Sequence, residues 1–110
     1  MGTIALAPVA DLELAHRLGL DGDAVADFLG GPPQDRGDLD PVRMADPTAA
    51  VVIVHGADDE VVPPKVGEAY AAAHPASRMV PVAGAGHFAL IDPLSAAWPV
   101  VVDALAAFDG

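Results

Sequence analysis

Apolar positions along the chain fall into two kinds of pattern. Three unbroken runs, Thr3 to Pro8, Ala50 to His55 and Arg78 to Val82, are too short for helices and predict strands. The middle run carries four consecutive β-branched residues, Val51 to Val54, stops at Gly56 and shows no alternation, which predicts a strand buried on both faces. Between and after these runs the apolar spacing changes to that of helices. Asp11 to Leu18 is a short amphipathic stretch closed by Gly19, and Asp23 to Leu29 has Asp23 as N-cap and Gly30 as stop. Pro64 to Ala73 aligns Val66, Ala69, Tyr70 and Ala73 on one face and ends at His74-Pro75. A last helix starts near Trp98, tolerates Pro99 in its first turn, and is expected to bury Trp98, Val101, Val102, Leu105 and Phe108. Gly30 to Pro47 reads as loop, with one helical turn at Asp40-Pro41.

Strands that alternate with helices imply crossover connections and a parallel sheet covered on both faces, a three-layer α/β/α arrangement. In such sheets functional groups gather beyond the carboxyl ends of the strands. Attention therefore goes to the segments after Val54 and after Val82.

Composition narrows the picture further. With 110 residues, one domain or less is expected. A hydrophobic share of 53% without counting the 11 glycines argues for a packed chain rather than a disordered one. Five basic against 16 acidic residues give a net charge of −11, which repels phosphate; nucleic acid and anionic membrane are not expected as partners. Cysteine is absent, so disulfides, thiolate zinc sites and a cysteine nucleophile are excluded. No run approaches the ~18 apolar residues of a spanning helix. The apolar start lacks a basic region before it and is followed at once by acidic residues, and Leu6 stands where a myristoylation signal needs Ser or Thr. A cytoplasmic location is expected.

The segment after the second strand is His55-Gly56-Ala57-Asp58-Asp59-Glu60-Val61-Val62-Pro63, and the one after the third is Gly84-Ala85-Gly86-His87-Phe88. An acid on one loop and a histidine on the next suit a catalytic triad: the imidazole takes a proton through one nitrogen while a carboxylate holds the other. Gly84 and Gly86 are expected to take positive φ and aim His87 back over the strand ends. Less chemical readings stand beside these. Asp59 can cap the helix at Pro64, and His87 can be a loop histidine packed by Phe88, which could also border a site. His55 reads as structural, His16 and His74 as surface helix residues. Asp58, Asp59 and Glu60 could bind a divalent cation, but three adjacent side chains diverge and no oxygen-rich partner is evident.

The stretch VVIVHGADDEVVP resembles the acid-bearing strand and loop of the α/β-hydrolase superfamily, an apolar strand followed by H-G-x-x-D-x-x-V-P, and AGAGHF resembles its histidine loop. The resemblance runs from about Thr3 to Phe108. IALAPVADLELAHRLGL is similar to the strand and small cap helix after the nucleophile-bearing unit, and LIDP with the apolar end is similar to the last helix of bacterial members. It implies the C-terminal part of an α/β-hydrolase fold, with residues 3–49 forming a strand, cap-like helices and a loop, and 50–110 the acid and histidine loops with the last helices. The style is that of esterase/lipase and kynurenine-formamidase-like enzymes, near the prolyl-oligopeptidase-type peptidases. Position by position, the resemblance puts the triad acid on Asp59, not Asp58, and the base on His87, with no metal or organic cofactor.

The family's serine lies in a G-x-S-x-G turn before the acid. Ser77 and Ser95, the two serines here, have no such flanks. The HGG-type oxyanion loop has no counterpart either. The expectation is a C-terminal portion of a serine hydrolase acting on esters or amides, inactive alone. A truncated gene product, a misassigned start codon and a deliberately shortened chain remain open as explanations. An edge strand left without its neighbour is expected to self-associate or to dock with a missing N-terminal half. The rival class is a non-catalytic α/β binding or pseudo-enzyme interaction module. A receiver-like domain is a weaker variant, because it needs five strands and an acidic pair after the first.

Overall fold

The computed structural model describes residues 2–108. Three parallel strands, β1 (Gly2–Leu6), β2 (Ala50–Gly56) and β3 (Arg78–Val82), form one sheet in the order β1-β2-β3. Ile4 lies opposite Val52 and Leu6 opposite Val54, and Val54 in turn lies opposite Val80. β1 is shorter than the apolar run that predicts it. Ala7 turns to a φ of 46°, yet its amide still bonds the Val54 carbonyl at 2.9 Å before Pro8 leaves the ladder.

The helices are α1 (Leu12–Arg17), α2 (Ala24–Leu29), α3 (Pro64–Ala73) and α4 (Trp98–Ala106). Asp11 caps α1 through a bond from the Leu14 amide, and Gly30 ends α2 in the left-handed region, which glycine enters without a Cβ penalty. The predicted loop holds two 3₁₀ segments, Pro33–Leu39 and Pro41–Arg43, and a further one follows the histidine loop at Phe88–Ile91. Asp40 between the first two is fully buried and accepts the Leu12 amide at 2.9 Å, tying this loop to the start of α1.

β2 is central and buried on both faces. Val52 and Val54 join Val82, Leu90, Ala97 and Ala104 in one apolar core under α4. Ile53 and His55 point the other way, against Gly67 of α3. The sheet is therefore sandwiched between helical layers. α4 keeps part of the expected face inward and turns the rest out: Val101 and Phe108 pack on the core as expected, joined by Val100 and the buried Ala104, while Val102 and Leu105 are exposed and Trp98 stays outside the cluster. Small Ala97 and Ala104 allow close approach to the sheet, and the larger side chains one step round the helix turn outward.

No helix among the described residues is long and apolar enough to cross a membrane.

Candidate active site

The acid and histidine loops leave neighbouring strands and are stitched together by their backbones. The Ala57 amide donates to the Val82 carbonyl at 2.9 Å and the Asp58 amide to the Ala85 carbonyl at 3.0 Å. Gly56 makes this possible, since a Cβ there would lie 2.3 Å from the Ala85 oxygen. Gly84 has the positive φ expected of it, 72°, whereas Gly86 does not. One left-handed residue is enough to reverse the chain toward His87.

On this frame Asp59 and His87 come together. Asp59 Oδ2 lies 2.8 Å from His87 Nδ1. The other carboxylate oxygen, Oδ1, accepts the amides of Val61 at 2.9 Å and Val62 at 2.8 Å. Burial pushes the Asp59 carboxyl up, but the hydrogen bonds from His87, Val62 and Val61 outweigh it and hold the group below the usual carboxylate range. An ionised carboxylate only accepts, so the proton of the shared bond belongs to His87 Nδ1. Among the described residues Nε2 of His87 has no hydrogen-bond partner, and the side chain is a quarter exposed. The arrangement can hold one imidazole tautomer with a basic nitrogen open to an incoming proton.

The neighbours are of three sorts. Phe88 is 68% exposed and meets the His87 ring edge-on at 4.9 Å between centroids. Asp58 sits beside the acid without touching the histidine among the described bonds. His55 is fully buried; its Nε2 lies 2.7 Å from the Val62 carbonyl and 3.5 Å from Asp59 Oδ2. Among the described residues no three His, Asp or Glu side chains are grouped to hold a metal ion. Both oxygens of Asp59 are already engaged.

The two serines stand apart from this pair. Ser77 Oγ donates to the His74 carbonyl and Ser95 Oγ to the Ala89 carbonyl, each at 2.6 Å. Ser77 also precedes β3, whereas His87 follows it. His74 is not the surface residue its position suggests. It is nearly buried, with Nδ1 bonded to Asp46 and Nε2 3.1 Å from the Val42 carbonyl. Two acceptors facing one ring favour its doubly protonated form. The bond to Asp46 is the chief cause of a raised pKa, burial opposes it, and the Val42 carbonyl adds to it. His16 is half-buried.

A three-stranded parallel sheet between helices, with an acid and a histidine on adjoining loops beyond its carboxyl edge, is part of an α/β-hydrolase fold. Solved structures agree. Thermogutta terrifontis esterase 2 superposes with a TM-score of 0.70 at 22% identity, over 96% of this chain and 40% of the esterase. A puromycin-hydrolyzing peptidase of Mycobacterium tuberculosis gives 0.61 at 24%, over 93% of this chain and 16% of the peptidase. Puromycin hydrolase gives 0.58 at 24%, over 76% and 14%. This chain thus spans two fifths or less of these proteins. No protein-family model and no curated protein matches the sequence.

Proposed function

We propose that this chain is the C-terminal, acid- and base-bearing portion of a serine hydrolase acting on carboxylic esters or amides, with the nucleophilic serine on a segment outside it. The observation that carries the proposal is the 2.8 Å bond from His87 Nδ1 to a carboxylate that is itself fixed by two backbone amides. The fold of an esterase and of two puromycin-hydrolysing proteins supports it, and the Thermogutta esterase has been seen with propionate and with butyrate bound.

In this reading His87 Nε2 takes the proton of the serine hydroxyl as its oxygen attacks the carbonyl carbon. Asp59 stabilises the resulting imidazolium and keeps its other proton on Nδ1. The imidazolium then gives its proton to the leaving alkoxide or amine, and the acyl group stays on the serine. Water repeats the sequence with the same base, releasing the acid. Removing the nucleophile from a comparable triad costs roughly 10⁶ in kcat, so the 110-residue chain is expected to be inactive alone.

The test uses two polypeptides. The chain alone should show no burst of p-nitrophenol from p-nitrophenyl acetate and no release above the buffer rate. A longer polypeptide carrying a G-x-S-x-G unit ahead of it should show the burst, with kcat falling about 10⁶-fold in His87→Ala and about 10⁴-fold in Asp59→Asn. A burst from the chain alone that disappears in His87→Ala, or an active longer form indifferent to both substitutions, sinks the reading.

A further inference from the structure

His55 is a buried histidine that the proposed proton transfers do not use, and its surroundings are unusual. It is fully buried next to the end of β2, with one ring nitrogen bonded and the other left alone. A carbonyl can only accept, so the 2.7 Å contact with Val62 O means that Nε2 carries the proton. Nδ1, left unprotonated, has no donor among the described residues and faces α3 at Gly67, where a Cβ would come within 2.8 Å of it. The chain thus tolerates an unmatched buried nitrogen, which is unfavourable, and keeps a glycine inside a helix, which is also unfavourable. An apolar residue at 55 would avoid the unmatched nitrogen.

The bond to Val62 explains what the ring secures. Val62 is held from both sides of one residue: its carbonyl accepts from His55, and its amide donates to Asp59 Oδ1 at 2.8 Å. The Val62 amide is one of the two that fix the carboxylate, and the other oxygen of that carboxylate holds His87. Nε2 itself also lies 3.5 Å from Asp59 Oδ2, the oxygen that holds His87. We infer that His55 is a positioning residue, clamped between Gly67 and the Val62 carbonyl, which sets the 59–62 turn and through it the orientation of Asp59 toward His87. The inference rests on the proposed acid–base pair for its purpose. Its geometry does not.

The experiment is done by NMR on the 110-residue chain with no substrate, so its outcome is separate from that of the acyl-transfer assay. Long-range ¹H–¹⁵N correlation of the unaltered protein should report His55 as the Nε2–H tautomer; an Nδ1–H tautomer overturns the inference. In His55→Leu the Val62 carbonyl loses its donor. The Asp59 carboxyl, followed by ¹³C, should titrate at higher pH than in the parent, and the downfield Nδ1–H signal of His87 should be lost. His55→Gln, whose amide nitrogen reaches a similar place, should restore both. Gly67→Ala should move the Asp59 midpoint in the same direction as His55→Leu, although alanine favours the helix. A folded His55→Leu with an unchanged Asp59 midpoint and an unchanged His87 signal reduces His55 to core filling. If His55→Leu does not fold, an unshifted midpoint in Gly67→Ala overturns the inference in the same way.

Discussion

Two residues set opposite limits on stability. Asp59 is held below its ordinary range, so the native state binds fewer protons than the unfolded chain between the two pKa values. Stability from Asp59 is complete above the unfolded value of about 3.9 and is lost as pH falls through the folded one. His74 is the reverse case. Its raised pKa contributes stability that is complete below the unfolded value of about 6.5 and is lost as pH rises through the folded one. The urea midpoint measured against pH should therefore fall on both sides of a plateau. Asp59→Asn should soften the acid side and His74→Gln the alkaline side. If neither substitution alters its own side, these bonds do not govern the titration.

At the scale of elements, β2, β3 and α3 were legible because each has a signal of its own: a β-branched run ended by glycine, a short apolar run, and a spaced face opened by proline. The orientation of α4 was legible only in part. Its sequence WPVVVDALA is apolar nearly all round, so no polar stripe marks the outside. The inward line of Ala97, Val101, Ala104 and Phe108 is selected by the closeness of approach to the sheet, which the sequence does not display. Leu105→Glu should change stability by no more than about 0.5 kcal/mol, as for other exposed sites. Ala104→Asp places an unpaired charge in the core and should cost about 3–5 kcal/mol. Chemical denaturation of the two variants separates this orientation from the one read off the sequence, which buries Leu105. The buried Asp40, bonded to the Leu12 amide, was equally hidden, because its partner lies 28 residues away.

The whole molecule presents β1 as an edge of its sheet among the described residues. Beside it lies an apolar groove of about 260 Å³ between Thr3, Ala5, Val9, Val51, Ile53 and Tyr70. An unpaired parallel strand next to an apolar hollow is a template for association. We expect the isolated chain to self-associate, with a weight-average mass in sedimentation equilibrium that rises with concentration. Thr3→Lys, on an exposed position of that strand, should lower it. A monomeric mass throughout the range counts against an adhesive edge.

Sequence alone determined the strands and α-helices, their alternation and hence the parallel sheet, because these follow from local periodicity and from the few ways a right-handed chain can connect strands. It also pointed to an acid and a histidine on the loops after the second and third strands, and the motif resemblance singled out Asp59 and His87 among the residues there. Tertiary structure alone decided how that pair is held: the close passage of Gly56 under Ala85, the two amides on Asp59, and the buried His55 bridging Gly67 and Val62. The physical reason is range. A hydrophobic period is written within a dozen residues, whereas a hydrogen bond of 2.8 Å between groups on separate loops depends on where several elements have come to rest together.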